Sequence, residues 1–566
     1  MKEYNGKRYH GSHSEQSFLY ATVILGAATV LVKVLGAIFR IPLANLIGED
    51  GMGYFSTAYD IYLPIYSLAM AGLPVAVSRM VAEQVAEGRY KDARQTFKIV
   101  KRAFTVTGIV GFILMFLVAV FVCTVANDNA KALPAAFVIA PSILFCCVMS
   151  TYRGYYEGVR NMYPTAISSL IEALSKLFLG LAFAWLILKY THSLSYAAAG
   201  AMLGITLGTV FGAIYLSLKY KHKREGFTEE EFQKSPHSQS NKVLFKALLA
   251  IAIPVAIGSL VNNIASLIDV AMVQRQLSNA VKTSPDAFMS MYGNFINEER
   301  AISDIPNFLY GCYKGYAYTI FNLVPTITSV VGVSALPVLT MAWASKKKPE
   351  IKTNIESMLR IIALIAFPAG IGIVALSPQI IALLYHAEGA AISSVLLRIL
   401  GISACLAGMT TPLTNMLQAI GKPSAPVKNI AVGAVIKIVV NFILVGIPGI
   451  NIYGAPIGTT CCYLYIAIAD IICLVKYSAV KPDLFSALGK PFISAAICGI
   501  SAFVVVNVFS LVGMTGKMIT LIAIVIAIFA YLIAVSKLNC IKKEDIESLP
   551  KGEKLVTLCY KLHIIR

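Results

Sequence analysis

An all-α integral membrane fold with about fourteen transmembrane helices is predicted by three observations. Hydrophobic residues make up 57% of the 566, charged residues only 14%, and the apolar residues come in long runs rather than stripes. A soluble domain sits nearer half apolar and a quarter charged. That many apolar side chains have no soluble core to enter, so the bilayer is the solvent, and helices satisfy their own backbone there.

The runs read as helices are 18–46, 53–80, 103–126, 132–156, 163–188, 195–218, 244–274, 312–343, 357–384, 391–419, 425–447, 454–475, 488–512 and 516–536. Each approaches or exceeds the roughly 20 residues that cross the hydrocarbon core. The formal charge of +19 raises nucleic acid as a partner, but no aromatic-basic platform accompanies it, and the basic residues lie mostly between apolar runs. With the N-terminus inside, 35 of 48 Lys and Arg residues fall in cytoplasmic segments, 7 fall outside and 6 lie within or near helices. This bias predicts both ends in the cytoplasm.

The boundaries that follow are a tail at 1–17, an N-lobe at 18–220, a cytoplasmic linker at 221–243, a C-lobe at 244–478 with an outer loop at 277–310, a terminal helix pair at 479–537 and a tail at 538–566. The division into lobes comes from an internal repeat. Leu73-Pro74-Val75 recurs as Leu336-Pro337-Val338, and Gly158 recurs as Gly421, each 263 residues on. Six helices per copy is an even number, so both copies enter the membrane the same way, as parallel repeats with a substrate path between them. The stretch 88–102 mixes aromatic with basic residues and reads either as a helix on the anionic leaflet or as an ordinary positive-inside loop. The eleven cysteines have no metal-ligand spacing and read as small apolar packers.

Ionisable groups at bilayer depth face partners or water-filled cavities. Lys33, Arg40, Asp60, Asn262, Asn263, Asp269, Arg275, Lys314 and Asn322 are the candidate substrate-binding residues. Lys33 and Arg40 lie one heptad apart on nearly the same face, and Asp60 lies at the depth of Arg40, so an Arg40–Asp60 pair is expected. Arg275 and Lys314, near helix ends, carry the alternative of snorkelling or structural pairing. Glu172–Lys176 and Arg153–Glu157 have the four-residue spacing of pairs on one helix, and Lys437–Asp470 is the expected bridge in the C-lobe, with a cation-coupling site as its alternative. No Walker A loop, zinc-binding helix or nucleophile elbow is present, so a transporter rather than an enzyme is expected, with no cofactor or metal and with energy from an ion gradient, the membrane potential or the substrate gradient.

The segments "VKVLGAIFRIPLANLIGEDGMGYFSTAYDIYLPIYSLAMAGLPVAVSRMVAE" (32–83), "YRGYYEGVRNMYPTAISSLIEALSKL" (152–177) and "YGCYKGYAYTIFNLVPTITSVVGVSALPVLT" (310–340) resemble the multidrug/oligosaccharidyl-lipid/polysaccharide exporter superfamily, in the branch of stage V sporulation protein B and the Gram-positive lipid II flippases. The resemblance implies a 6+6 transporter with two added helices, a bacterial cell-membrane location and a central cationic cavity for a pyrophosphate-linked sugar. Lys33 and Arg40 match the basic positions of the family's first helix. Some relatives carry arginines in the second helix where this chain has Ser67, Leu68 and Ala69, and some carry a sodium-binding carboxylate on the eleventh helix, where the nearest ionisable group here is Lys437. The expected partners are a lipid-linked oligosaccharide and membrane lipids, with envelope-synthesis enzymes as candidates and no nucleic acid. The expected substrate is an undecaprenyl-pyrophosphate-linked precursor such as lipid II. Another lipid-linked glycan, a drug/cation antiport and a non-transporting scaffold are the alternatives.

Overall fold

A computed structural model describes residues 18–70, 72–222, 229–236, 238–296, 300–511, 516–542 and 545. Among these, eleven helices are long and apolar enough to cross a membrane. The difference from fourteen arises in three places. The first run and most of the second form one element, α1 (Phe18–Met70), whose backbone breaks at Gly48 with φ 64° and ψ −172°, and the rest of the second run falls in a separate helix. The run 244–274 is carried by α8 (Asn241–Thr283) and the run 312–343 by a broken helix, and neither is among the eleven.

Gly48 is where the chain needs a positive φ, which glycine adopts without a Cβ penalty. The break folds α1 back on itself, so that Phe39 meets Phe55 at 6.1 Å between ring centroids and the Arg40 guanidinium lies 5.3 Å from the Tyr59 ring. The two arms pack with α2 (Gly72–Ala86), α3 (Tyr90–Val120), α4 (Leu133–Gly158), α5 (Tyr163–Thr191) and α6 (Leu194–His222) as one helix group. A second group contains α8, the broken helix, α13 (Lys348–Leu384), α14 (Ala390–Ala419), α15 (Ser424–Val445) and α16 (Gly454–Ser478). The last pair, α17 (Lys490–Leu511) and α18 (Lys517–Lys537), packs on α13. Large apolar side chains stay exposed along the outside, among them Phe178, Ile500, Phe503 and Phe529. In water such a surface would aggregate, whereas lipid tails cover it without cost.

Two connections of the sequence reading are folded elements. The stretch 88–102 forms the first turns of α3, and its apolar face packs inward: Phe97 lies against Tyr152, Tyr155 and Tyr220. That face therefore contacts protein, while Arg94, Lys98, Lys101 and Arg102 stay exposed. The outer connection 278–310 is also largely helical. α8 continues to Thr283, α9 (Pro285–Tyr292) follows, and Phe288 and Tyr292 are buried. Between the helix groups, α7 (Glu229–Lys234) sets Phe232 under Arg94, and Asp92 accepts hydrogen bonds from the Ser238 hydroxyl at 2.8 Å and the Gln239 amide at 2.7 Å.

The C-terminal segment is tied down by a buried ion pair, Arg360 Nη1 to Asp545 Oδ2 at 3.1 Å. Arg360→Ala leaves that carboxylate without its guanidinium. A charge-assisted bond of about 1.5–3 kcal/mol is lost, so segment release rises roughly tenfold or more. Limited proteolysis in detergent checks this: tail cleavage accelerates in the variant while the helical bundle resists as before, and unchanged cleavage would refute the tether.

A candidate cationic cavity between two helix groups

The broken helix is where the second group meets the first. It runs as α10 (Ile305–Tyr310), a widened π turn at Gly311–Ala317, α11 (Tyr318–Phe321) and α12 (Leu323–Ala344). Widened turns interrupt the regular ladder and frequently mark functional sites. Gly311 and Gly315 face Gly53 and Met52 of α1 so closely that a Cβ on Gly311 would overlap the Glu49 carbonyl oxygen. Backbone thus meets backbone at this end, the one poor in basic residues.

Polar contacts complete the seal there. Arg300 Nη2 reaches Asp50 Oδ2 at 2.6 Å and Glu388 Oε2 at 2.9 Å. Burial disfavours the Arg300 cation, but these carboxylates outweigh it and hold the guanidinium above its ordinary value. Gln274 donates to Thr57 Oγ1 at 2.6 Å, Asn127 donates to Gln274 Oε1 at 3.0 Å, and Asn307 donates to the Asp50 carbonyl at 3.0 Å. The segment read as an outer loop therefore contributes Arg300 and Asn307 to the plug.

Beneath the plug lies a cavity of about 460 Å³ between the two groups. Its lining includes Lys33, Arg40, Asp60, Asn263, Lys314 and Asn322 from the sequence-derived set, together with Lys176, Tyr59, Ser266 and Thr319. Lys33 Nζ donates to Ser329 Oγ at 2.9 Å and Arg40 Nη1 to Thr319 Oγ1 at 3.5 Å, both across the boundary between the groups. The Lys176 ammonium stands over the rings of Phe39, at 5.1 Å, and Tyr59, at 5.5 Å. Among the described residues, none of these three cations has a carboxylate within 4.0 Å, whereas Lys314 has two. The cavity thus carries uncompensated positive charge in a low-dielectric surround, which favours an anion strongly.

The expected ion pairs are rearranged. Asp60 does not pair with Arg40: it accepts from the Tyr310 hydroxyl at 2.7 Å and lies 3.4 Å from Lys314 Nζ. Lys437 does not bridge to Asp470: its ammonium is 2.6 Å from Asp269 Oδ2, which also takes Lys314 at 3.1 Å. Asn441 donates to Asp269 Oδ1 at 3.3 Å, and Asp470 instead accepts from Asn429 at 2.7 Å. Asp269 therefore belongs to a buried four-charge chain, Asp60–Lys314–Asp269–Lys437, of which Asp60 and Lys314 line the cavity while Asp269 and Lys437 lie behind it. Lys314 does not snorkel but sits fully inside this chain. The pairs expected along single helices are also replaced, since Arg153 bridges to Glu172 at 3.2 Å between α4 and α5 rather than to Glu157, and Glu172 rather than Lys176 takes that bridge. Arg275 is exposed and does not line the cavity. Asn262 lies outside the described side chains. Lys176 was the missed cavity cation; its signal was a charge in mid-helix, read only as half of a local pair.

Comparison with known proteins agrees with this architecture. Residues 18–343 match the family described as polysaccharide biosynthesis protein, and 314–443 match MatE. Stage V sporulation protein B of Bacillus subtilis (strain 168) is 27% identical over 78% of this chain and 81% of its own length. Lipid II flippase MurJ of the same organism is 23% identical over 75% of this chain and 77% of its own. The solved structure of lipid II flippase MurJ in an inward closed conformation superposes with a TM-score of 0.65 at 15% identity, covering 91% of this chain and 98% of that one, a likeness of fold.

Proposed function

Because the chain belongs to the polysaccharide biosynthesis protein family, as a multi-pass protein of the bacterial cell membrane, we propose that it is a flippase moving a lipid-linked glycan precursor between leaflets by alternating access. The single observation carrying this reading is the cavity between the helix groups with three cations that have no carboxylate within 4.0 Å among the described residues. A diphosphate-linked sugar brings the matching charge. Arg40 offers a planar fork to phosphate oxygens, while Lys33 and Lys176 act as point charges. The polyprenyl tail stays in lipid and only the headgroup enters. Undecaprenyl-diphosphate-linked cell-wall precursors, lipid II among them, have this chemistry. N-terminus and C-terminus inside, the basic loops face the cytoplasm and the plug closes the outer end, so the cavity takes its headgroup from the inner leaflet.

Drug/cation antiport is less well supported, because it needs a carboxylate open to a cation. Both Asp269 oxygens already take lysine or asparagine donors.

Complementation of a strain depleted of its lipid II flippases tests the proposal. Wild type is expected to restore surface-exposed lipid II. Arg40→Ala and Lys33→Ala each lose a charge-assisted contact of about 1.5–3 kcal/mol, so headgroup affinity falls roughly 10- to 100-fold and rescue fails at normal membrane levels. Full rescue by both variants would refute the cavity assignment.

A further inference from the structure

A second cavity, of about 290 Å³, lies beside the first inside the N-terminal helix group. The two share Gly36, Tyr59, Leu63 and Lys176 as lining, so they are adjacent, with Lys176 and Tyr59 at their common boundary. One wall is a ladder of tyrosines on the second arm of α1. Tyr59, Tyr62 and Tyr66 follow at spacings of three and four, with ring centroids 6.0 and 5.2 Å apart. Facing them are Ser169 and the Arg153–Glu172 ion pair.

An aromatic ladder is most often core packing, but core tyrosines bury their rings and satisfy their hydroxyls. Tyr62 does so, being buried with its hydroxyl 4.0 Å from Cys146 Sγ. Tyr59 and Tyr66 are only partly buried, and neither hydroxyl has a hydrogen-bond partner among the described residues. The Tyr59 ring is already taken by Phe55, Arg40 and Lys176, so the half-open aromatic face is that of Tyr66, and with the two hydroxyls it looks into a chamber that also offers a guanidinium, a carboxylate and a serine hydroxyl. A diphosphate is ill-suited here, because Glu172 already neutralises Arg153. A polyprenyl tail is excluded by the cost of covering an ion pair with hydrocarbon. An organic cation meets Lys176.

A pyranose ring suits a chamber whose remaining lining is apolar, with Val32, Leu63 and Ile205 beside the tyrosines and the polar set. Its C–H face lies on tyrosine, and its rim of hydroxyls, each donor and acceptor, matches the mixed polar set. The chamber volume, just below the range of about 300–1,000 Å³ for ligand pockets, holds one sugar rather than a chain. We infer that this chamber is a sugar subsite that receives the first saccharide of the lipid-linked substrate while Lys33, Arg40 and Lys176 hold its diphosphate. The inference rests on the flippase reading above and adds where glycan selectivity resides.

Isothermal titration of the full chain in detergent with two probes, farnesyl diphosphate and farnesyl-diphosphate-linked N-acetylglucosamine, tests it. Wild type is expected to bind the glycosylated probe about tenfold tighter, equivalent to about 1.4 kcal/mol. Tyr66→Leu is expected to cut that ratio to about twofold or less without altering affinity for the bare diphosphate, while Tyr66→Phe, which keeps the stacking face, retains most of it. Preserved selectivity in Tyr66→Leu, equal weakening of both probes, or no sugar preference in wild type would overturn the subsite while leaving the anion cavity standing. Absence of binding by either probe would overturn the flippase reading, and the subsite with it.

Discussion

Asp269→Ala is expected to be the most damaging single substitution in the second helix group. It leaves Lys437 with no carboxylate and Lys314 with Asp60 alone, at 3.4 Å. Removing one partner of a buried ion pair costs about 3–5 kcal/mol, because the other charge stays desolvated. Folded proteins hold only about 5–15 kcal/mol in total, so membrane levels and the melting temperature in detergent both fall. The double variant Asp269→Leu with Lys437→Leu separates charge from packing. It removes one acid and one base together, Lys314 keeps Asp60, and most of the lost melting temperature is expected to return. A single variant that melts like wild type, or a double variant no better than the single, would show that the chain of charges does not hold this group together.

Gly311→Val is expected to act on conformation rather than on folding. The new Cβ would overlap the Glu49 carbonyl, and Gly53 N lies 3.1 Å away; both are backbone atoms that no rotamer change can move. The plugged arrangement is then disfavoured by the cost of overpacking, about 1–3 kcal/mol, which shifts the closed-to-open ratio roughly 5- to 150-fold. The exposed Asp128–Lys282 pair, 3.0 Å apart across the groups, provides the readout. With Asp128→Cys and Lys282→Cys, a short cross-linker is expected to join the two positions efficiently in the Gly311 background and poorly in Gly311→Val. Gly293→Val is the matched control, since a Cβ there meets open space. Equal cross-linking in all three would remove Gly311 from the seal.

The candidate site was partly legible in the residue order. Lys33 and Arg40 stand out because a cation in an apolar run has few tolerable reasons to be there, and both line the cavity. Their partners were not legible. Pairs four apart on one helix, such as Glu172 and Lys176, satisfy a local rule, yet Glu172 takes Arg153 from the neighbouring helix. At bilayer depth the low dielectric rewards the shortest contact, and which helices are neighbours depends on the whole fold. Lys437 illustrates this: Asp470 lay nearer in sequence, but Asp269, 168 residues away, is the carboxylate within reach.

What the sequence determined by itself is what composition and one-dimensional pattern control: a multi-helix membrane protein with exposed apolar flanks and cations placed where hydrocarbon would not keep them idle. That follows because hydropathy and helix length are properties of contiguous residues. The tertiary structure alone decided the hairpin at Gly48, the folding of 278–310 into a plug, the four-charge chain and the chamber that Lys176 joins to the cavity. Each of these depends on which helix faces sit together, a relation between residues distant in the chain.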